Sequence, residues 1–267
     1  MEQRIYADNR NEQALMELHM ADTTPSERIS RAARAEPLLA DRRPAPQPGP
    51  AALAPASQGY LLLKRAFDIV ASLLLLGIFF LPLFIVALCI RWESPGPAIH
   101  RRRVLARQSC DDPQATHALE TFDAFKLRTM IPDAEEYLSR HPHLFESYQK
   151  DWKLEHDPRI TRLGAFLRTT SIDELPQLLN VLKGEMSLIG PRMITVPELA
   201  RYGADAPLLL SVKPGLTGLW QVNGRQELTY EERVRLDMVY VQSRSVQMDL
   251  QILLKTVKCV LLRRGAY

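Results

Sequence analysis

The sequence predicts an α+β fold, mostly helical, in which a membrane-embedded helix precedes a mixed domain with short strands. Three observations predict it. Ile69 to Ile90 runs for 22 residues without a charge, long enough to enter a bilayer as a helix. Apolar residues recur at helical spacing further on, most regularly from Val246 to Leu262. Only short stretches, such as Thr121 to Met130, alternate as strands do. With 34 Lys and Arg against 31 Asp and Glu, the net charge of +3 does not point to nucleic acid. Three cysteines, Cys89, Cys110 and Cys259, lack motif spacing and suit a reducing compartment better than a disulfide framework.

Residues 1–60 read as a disordered tail. Pro44, Pro46, Pro48, Pro50 and Pro55 lie in an alanine-rich run that buries too little apolar surface to order itself. A short helix fits Glu12 to Met20, and no early apolar core marks a signal peptide. Residues 61–95 form the membrane segment. Pro82 divides its apolar run into pieces of 13 and 8 residues. Neither piece, at about 20 Å and about 12 Å, crosses a bilayer alone. Lys64-Arg65 precede the run; Arg91 and Arg101-Arg102-Arg103 follow it. Positive flanks at both ends suit a hairpin entering and leaving by one face. The whole run of about 33 Å equally allows a plain crossing, which the residues alone favour, because proline is tolerated in membrane helices.

Residues 96–267 make up the main domain. Ser94-Pro95-Gly96-Pro97 turns the chain away from the membrane. Arg101 to Arg103 suit lipid headgroups or a bound phosphate. From Thr121 to Met130, Phe125, Leu127 and Thr129 share one face and Lys126 and Arg128 the other, which is either solvated or turned to an anion. Asp133 to Lys153 reads as an exposed acidic helix. His141 and His143 lie two apart and do not share a helix face, so no metal is assigned there.

The stretch Arg168 to Arg192 carries the chemistry. Ser171-x-x-Glu174 has capping-box spacing. Pro176 opposes that reading: with Ser171 as the cap, the proline falls beyond the first turn, where it deletes a backbone bond. A helix starting near Asp173 puts Pro176 in the tolerated first turn and Asp173 among free N–H donors, which keep it ionised. Arg168 and Arg192 then flank adjacent carboxylates, as phosphate chemistry on an anionic substrate requires. Further on, Lys213-Pro214-Gly215 and Asn223-Gly224 flank a predicted strand, Leu219 to Val222. Thr229-x-x-Glu232 is a second capping box. Val246 to Leu262 is amphipathic, suited to packing on the domain or lying in an anionic membrane surface.

These landmarks carry a resemblance. Lys64-Arg65-Ala-Phe67-Asp68, Phe125-Lys126-Leu127-Arg128-Thr129-Met130, Ser171-Ile-Asp173-Glu174-Leu-Pro-Gln, Gly190-Pro191-Arg192, Lys213-Pro214-Gly215 through Asn223-Gly224-Arg225 and the closing Arg263-Arg264-Gly265-Ala266-Tyr267 occur in order. From Lys64 onward the chain resembles the bacterial sugar transferases, the small monotopic phosphoglycosyl transferases, and most closely the branch that starts exopolysaccharide repeat units with galactose phosphate. The resemblance implies a re-entrant helix broken at Pro82 and a catalytic domain on the cytosolic face of the bacterial inner membrane. It also implies transfer of a hexose 1-phosphate from a UDP-sugar to polyprenyl phosphate, with release of UMP.

By the same resemblance Asp173 is the nucleophile and metal contact, Glu174 its acid–base or metal-positioning partner, and Arg168 and Arg192 hold phosphate. Lys126, Arg128 and Arg225 would face the nucleotide sugar. Mg²⁺ is the expected cofactor, and membrane lipids and a second copy of the chain are candidate partners. The chain departs from the family in three places. Leu81 stands where a serine often precedes the proline. Met193 stands where a second proline usually follows Gly-Pro-Arg, which predicts a looser turn. The 104–120 loop carries Cys110-Asp111-Asp112-Pro113 in an insertion. The rival readings are a non-catalytic, membrane-anchored interaction protein and a glycosyltransferase that moves sugar without phosphate.

Overall fold

The computed structural model describes residues 57–108, 119–151, 154, 156–224 and 228–261. The proline-rich tail and its short helix, the Cys110–Pro113 insertion, Arg225 and the closing Arg263–Tyr267 lie outside these residues. What is described is mostly helical, with a few short strands.

Helix α1, Gln58–Glu93, opens on Ser57, whose hydroxyl accepts from the Tyr60 backbone N–H. It starts inside the segment read as tail. It also runs without interruption through Pro82, so the expected division into two pieces is not seen. Proline costs one backbone bond here, and the remaining turns carry the helix past it. Most of α1 is bare: Leu74, Ile78 and Phe80 are 62%, 68% and 71% exposed. One stripe is not. Ala71, Leu75 and Leu76 pack on the main core, and Leu83, Val86 and Ile90 join a smaller core with Leu127 and Leu167.

Both ends of α1 are fastened to the same domain. Near its start, Tyr60 and Lys64 donate to Asp249 at 2.9 and 2.7 Å. Arg65 donates to the Val181 and Leu182 carbonyls, and Asp68 accepts from the Leu188 N–H. At its finish, Arg128 donates to the carbonyls of Ile90, Ser94 and Pro95, and Glu93 accepts from the Leu163 N–H.

Strands β1 (Ile99–Leu105) and β2 (Thr121–Leu127) form an antiparallel pair with Arg103 opposite Asp123. The Arg101–Arg103 run is therefore strand. Phe122 and Ala124 serve the main core and Leu127 the smaller one, so β2 bridges the two. The expected acidic helix is two, α2 (Ala134–Ser139) and α3 (Pro142–Asp151), since Pro142 starts a new helix more readily than it continues one. His141 stacks on Tyr137 with ring centres 4.3 Å apart.

Helix α4 (Arg162–Thr170), a 3-10 segment (Ile172–Gln177) and α5 (Leu178–Lys183) follow. Strand β3 (Ser187–Ile189) runs parallel to β4 (Gly215–Thr217), with the 3-10 segment Pro197–Asp205 and α6 (Ala206–Leu210) between them. The expected strand Leu219–Val222 is instead a 3-10 turn, Trp220–Val222. Helix α7 (Tyr230–Ser243) carries the predicted Thr229/Glu232 capping box, and the amphipathic stretch is α8 (Val246–Leu261). Leu178, Val181, Met186, Tyr240, Val241 and Ile252 form the centre of the main core.

Candidate active site

The acid pair lies at a sharp corner. Ser171 takes a left-handed conformation, φ 58°, which ends α4 and lets the next residues wind as a 3-10 helix. The capping box does not form there: the Ser171 side chain caps nothing, and Glu174 turns to Lys126 instead, Nζ to Oε1 2.5 Å. Within the tighter 3-10 turn Pro176 is accommodated, and the α-helical ladder begins only at Leu178. Asn180, fully buried, holds β2 against this corner. It accepts from the Phe125 N–H and donates to the Asp123 carbonyl, which delivers the intervening strand and Lys126 to the acids.

Asp173 is 7% exposed and accepts from its own backbone N–H. Burial, opposed by Lys126 and aided by the Glu174 charge, pushes its carboxyl up to about 6. Burial outweighs the backbone N–H that favours the charged form, yet the carboxylate still predominates about tenfold at pH 7, the ionised state expected from the sequence. Burial also acts to raise Glu174, but Lys126, Arg192 and Arg102 overcome it and hold that carboxyl down at about 2. Two neighbouring acids are thus driven apart, one permanently charged and one titrating close to neutrality.

The arginines divide. The Arg168 Nε donates to the Thr129 hydroxyl at 2.9 Å, and its charge reaches both Asp173 and Glu174. Arg192 reaches Glu174 from the Gly-Pro-Arg turn. That turn is tightly tied, not loosened by Met193. The Arg192 N–H donates to Asp237, the Gly215 N–H donates to the Pro191 carbonyl, and Met193 is buried in the core. Gly190 and Gly215 make this possible, since a β-carbon on Gly215 would lie 2.1 Å from the Gly190 nitrogen. Arg128 belongs to the far end of α1 and is not gathered with the acids.

Sequence reasoning missed two participants. Arg102, read only as part of a basic run, faces inward to Glu198 and contributes to the field at Glu174, while Arg101 lies over Phe125 and Arg103 pairs with Asp123. Asp237, fully buried, supports the Gly-Pro-Arg turn and also accepts from the Tyr202 hydroxyl. Its signal was available: an acid spaced with Val234, Met238 and Val241 on the apolar side of a helix.

A sequence model described as bacterial sugar transferase matches residues 59–263. The chain belongs to this family. Among bacterial sugar transferases, the undecaprenyl-phosphate galactose phosphotransferase of Salmonella typhimurium is 43% identical over 216 residues, covering 79% of this chain and 43% of that protein. The exopolysaccharide production protein ExoY of Rhizobium meliloti is 40% identical over 211 residues, 76% of this chain and 88% of its own. The UDP-glucose:undecaprenyl-phosphate glucose-1-phosphate transferase of Caulobacter vibrioides is 37% identical over 214 residues, 77% of this chain and 72% of its own. The chain spans less than half the length of the Salmonella relative.

Proposed function

We propose that this bacterial sugar transferase moves galactose 1-phosphate from UDP-galactose to undecaprenyl phosphate, releasing UMP, as the first step of exopolysaccharide repeat-unit assembly. The observation that carries the reading is the Asp173-Glu174 pair, one acid ion-paired and charged, the other left without an ion pair among the described residues, inside a ring of Lys126, Arg102, Arg168 and Arg192. The activities named for the Salmonella and Caulobacter relatives support the reaction, and the former supports galactose.

The chemistry follows from charge. A carboxylate and a phosphate about 4 Å apart repel by roughly 4 kcal/mol at an effective dielectric near 20, which is about three powers of ten in rate. The basic ring offsets this. An Asp173 oxygen attacks the β-phosphorus, the bond to the bridging oxygen breaks, and UMP leaves with that oxygen. The sugar phosphate remains as an acyl phosphate on Asp173. A polyprenyl phosphate oxygen then attacks the same phosphorus, restoring the carboxylate and forming the lipid diphosphate sugar. Glu174, ionised throughout, suits a positioning role better than proton transfer.

Magnesium suits the donor set. Among the described residues no third His, Cys, Asp or Glu joins the acid pair, and Mg²⁺ characteristically uses one or two carboxylates and completes its shell with phosphate and water. Asp173 and Glu174 would hold it, and it would supply further neutralisation of phosphoryl oxygen charge.

The membrane attachment is read as re-entrant, with the domain on the cytosolic face of the inner membrane. The fastening of both ends of α1 to one domain supports this, since a crossing helix releases one end to the opposite side, while the unbroken course through Pro82 does not contribute to it. Cysteines placed singly at Ser57 and Pro97 should react with an impermeant reagent from the same side of sealed vesicles; opposite sides would defeat the re-entrant path. For the chemistry, the released nucleotide and the quenched enzyme decide. UMP and a hexosyl-phosphate adduct on Asp173, absent from Asp173→Asn, are expected; UDP, or an adduct elsewhere, would overturn the proposal.

A further inference from the structure

Beside the acid pair lie two arginines that form no ion pair among the described residues, although the charge of one, Arg192, reaches Glu174. Arg192, at the Gly-Pro-Arg turn, has its guanidinium 5.4 Å from the centre of the Trp220 ring, and Arg233, from α7, lies 5.0 Å from the same centre. Trp220 is 6% exposed, so the indole is a fixed platform built into the domain. Among the described residues neither arginine has an acidic partner, and the Arg233 Nε is buried without a hydrogen bond. Several other inward-facing cations are paired: Lys126 with Glu174, Lys64 with Asp249 and Arg159 with Asp157, while Arg168 meets, among the described residues, only the Thr129 hydroxyl. The nearby Asp237 is committed to the Arg192 backbone N–H and the Tyr202 hydroxyl.

Two partly buried guanidiniums held over one indole repel each other, and burial and the Arg192 charge both weaken the hold of Arg233 on its proton. An arrangement of this kind is relieved by an anion. Stacking on an aromatic ring fixes the plane of a guanidinium and leaves its N–H edge free for two-pronged contact with phosphate oxygens. Arg192 also acts on Glu174, so the platform is continuous with the acid pair.

We propose that Arg233 and Arg192, carried on Trp220, form a phosphate-binding subsite next to the acid pair. It takes the oxygens of a phosphomonoester or diphosphate. This deepens the phosphoryl-transfer reading given above and rests on it for the source of the phosphate, which is either the nucleotide sugar or the lipid acceptor. Binding itself does not depend on turnover.

The probe is inorganic pyrophosphate with EDTA present, added to the full chain in detergent, with thermal stability as readout. The wild-type chain should melt higher with pyrophosphate. Arg233→Gln should need about tenfold more for the same shift, as loss of a charge-assisted contact implies, and Arg233→Lys should fall between. Asp173→Asn should keep the pyrophosphate response, no weaker than wild type because a repelling carboxylate is gone, whether or not Asp173 is the nucleophile, which separates this proposal from the reaction assigned above. Two kinetic arms then identify the source. A rise of about tenfold in KM for the UDP-sugar, measured by lipid-free exchange of labelled UMP, assigns the subsite to the donor. An unchanged exchange with a raised KM for polyprenyl phosphate assigns it to the acceptor. The proposal is overturned if pyrophosphate does not stabilise the wild-type chain, if both Arg233 variants respond as wild type, or if neither KM moves.

Discussion

Asp173 titrates near neutrality, which gives the site a pH signature. Transfer should fall as pH drops through about 6, where that carboxyl takes up its proton. Lys126 lowers both acids, so Lys126→Met should move this acid limb to higher pH in a profile of nucleotide exchange; a limb that stays in place would remove Lys126 from the field assigned to it. The same group carries a stability cost. Its folded value lies above the ordinary 3.8, so the folded chain holds this proton more tightly than the unfolded chain does. Stability from it is full below about pH 3.8 and is lost as pH rises through 6. Asp173→Asn should therefore be more stable than wild type at pH 8 by up to about 3 kcal/mol, read as a higher melting temperature, while forming no adduct. Little of this was legible in the sequence. Asp173 and Glu174 stood out as neighbours, but burial, which separates their titration, depends on how β2 and α4 close over the corner. Lys126 was visible as a basic strand residue; its partner was not, because 48 residues separate the two.

At the scale of elements, the tie between α1 and α8 is the most exposed to mutation. Asp249 accepts from the hydroxyls of Tyr60 and Tyr240 and the ammonium of Lys64, all partly or wholly buried. Asp249→Ala leaves those donors without an acceptor and should cost about 3 kcal/mol, read as a lower melting temperature in detergent and faster proteolysis at the start of α1. Two helices were readable in full, since the Thr229 box and the length of α8 follow from local sequence, whereas α4 with its Thr161 cap was not anticipated. The strands were less readable. β1 was hidden behind three consecutive arginines, and the strand-like residues of Trp220–Val222 wind as a 3-10 turn just past the end of β4. The corner at Ser171 was misleading for a related reason. Capping-box spacing is a local signal, and a lysine from β2 outcompetes it for Glu174.

For the whole molecule, the bare faces decide where it resides. Besides the outer face of α1, helix α8 exposes Val246, Leu250, Leu254 and Val257 with Lys255 and Lys258 beside them, a pattern suited to an anionic lipid surface. Leu254→Glu, at a position 63% exposed, should leave folding and lipid-free nucleotide exchange intact while lowering transfer to acceptor in vesicles several-fold; equal loss in both assays would argue for a packing role. The membrane run was legible from composition. Its path was not, because a proline inside an apolar stretch is compatible with crossing and with return, and the ties at its two ends come from residues far along the chain. Those ties have a mechanical consequence. On the re-entrant path proposed above, a protein moored at bow and stern keeps one draught whatever the depth of the water beneath it, so turnover should change little between vesicles of thin and thick acyl chains. A turnover that follows acyl-chain length instead marks a single through-going stem, which tilts and carries the acids off the level of the lipid phosphate.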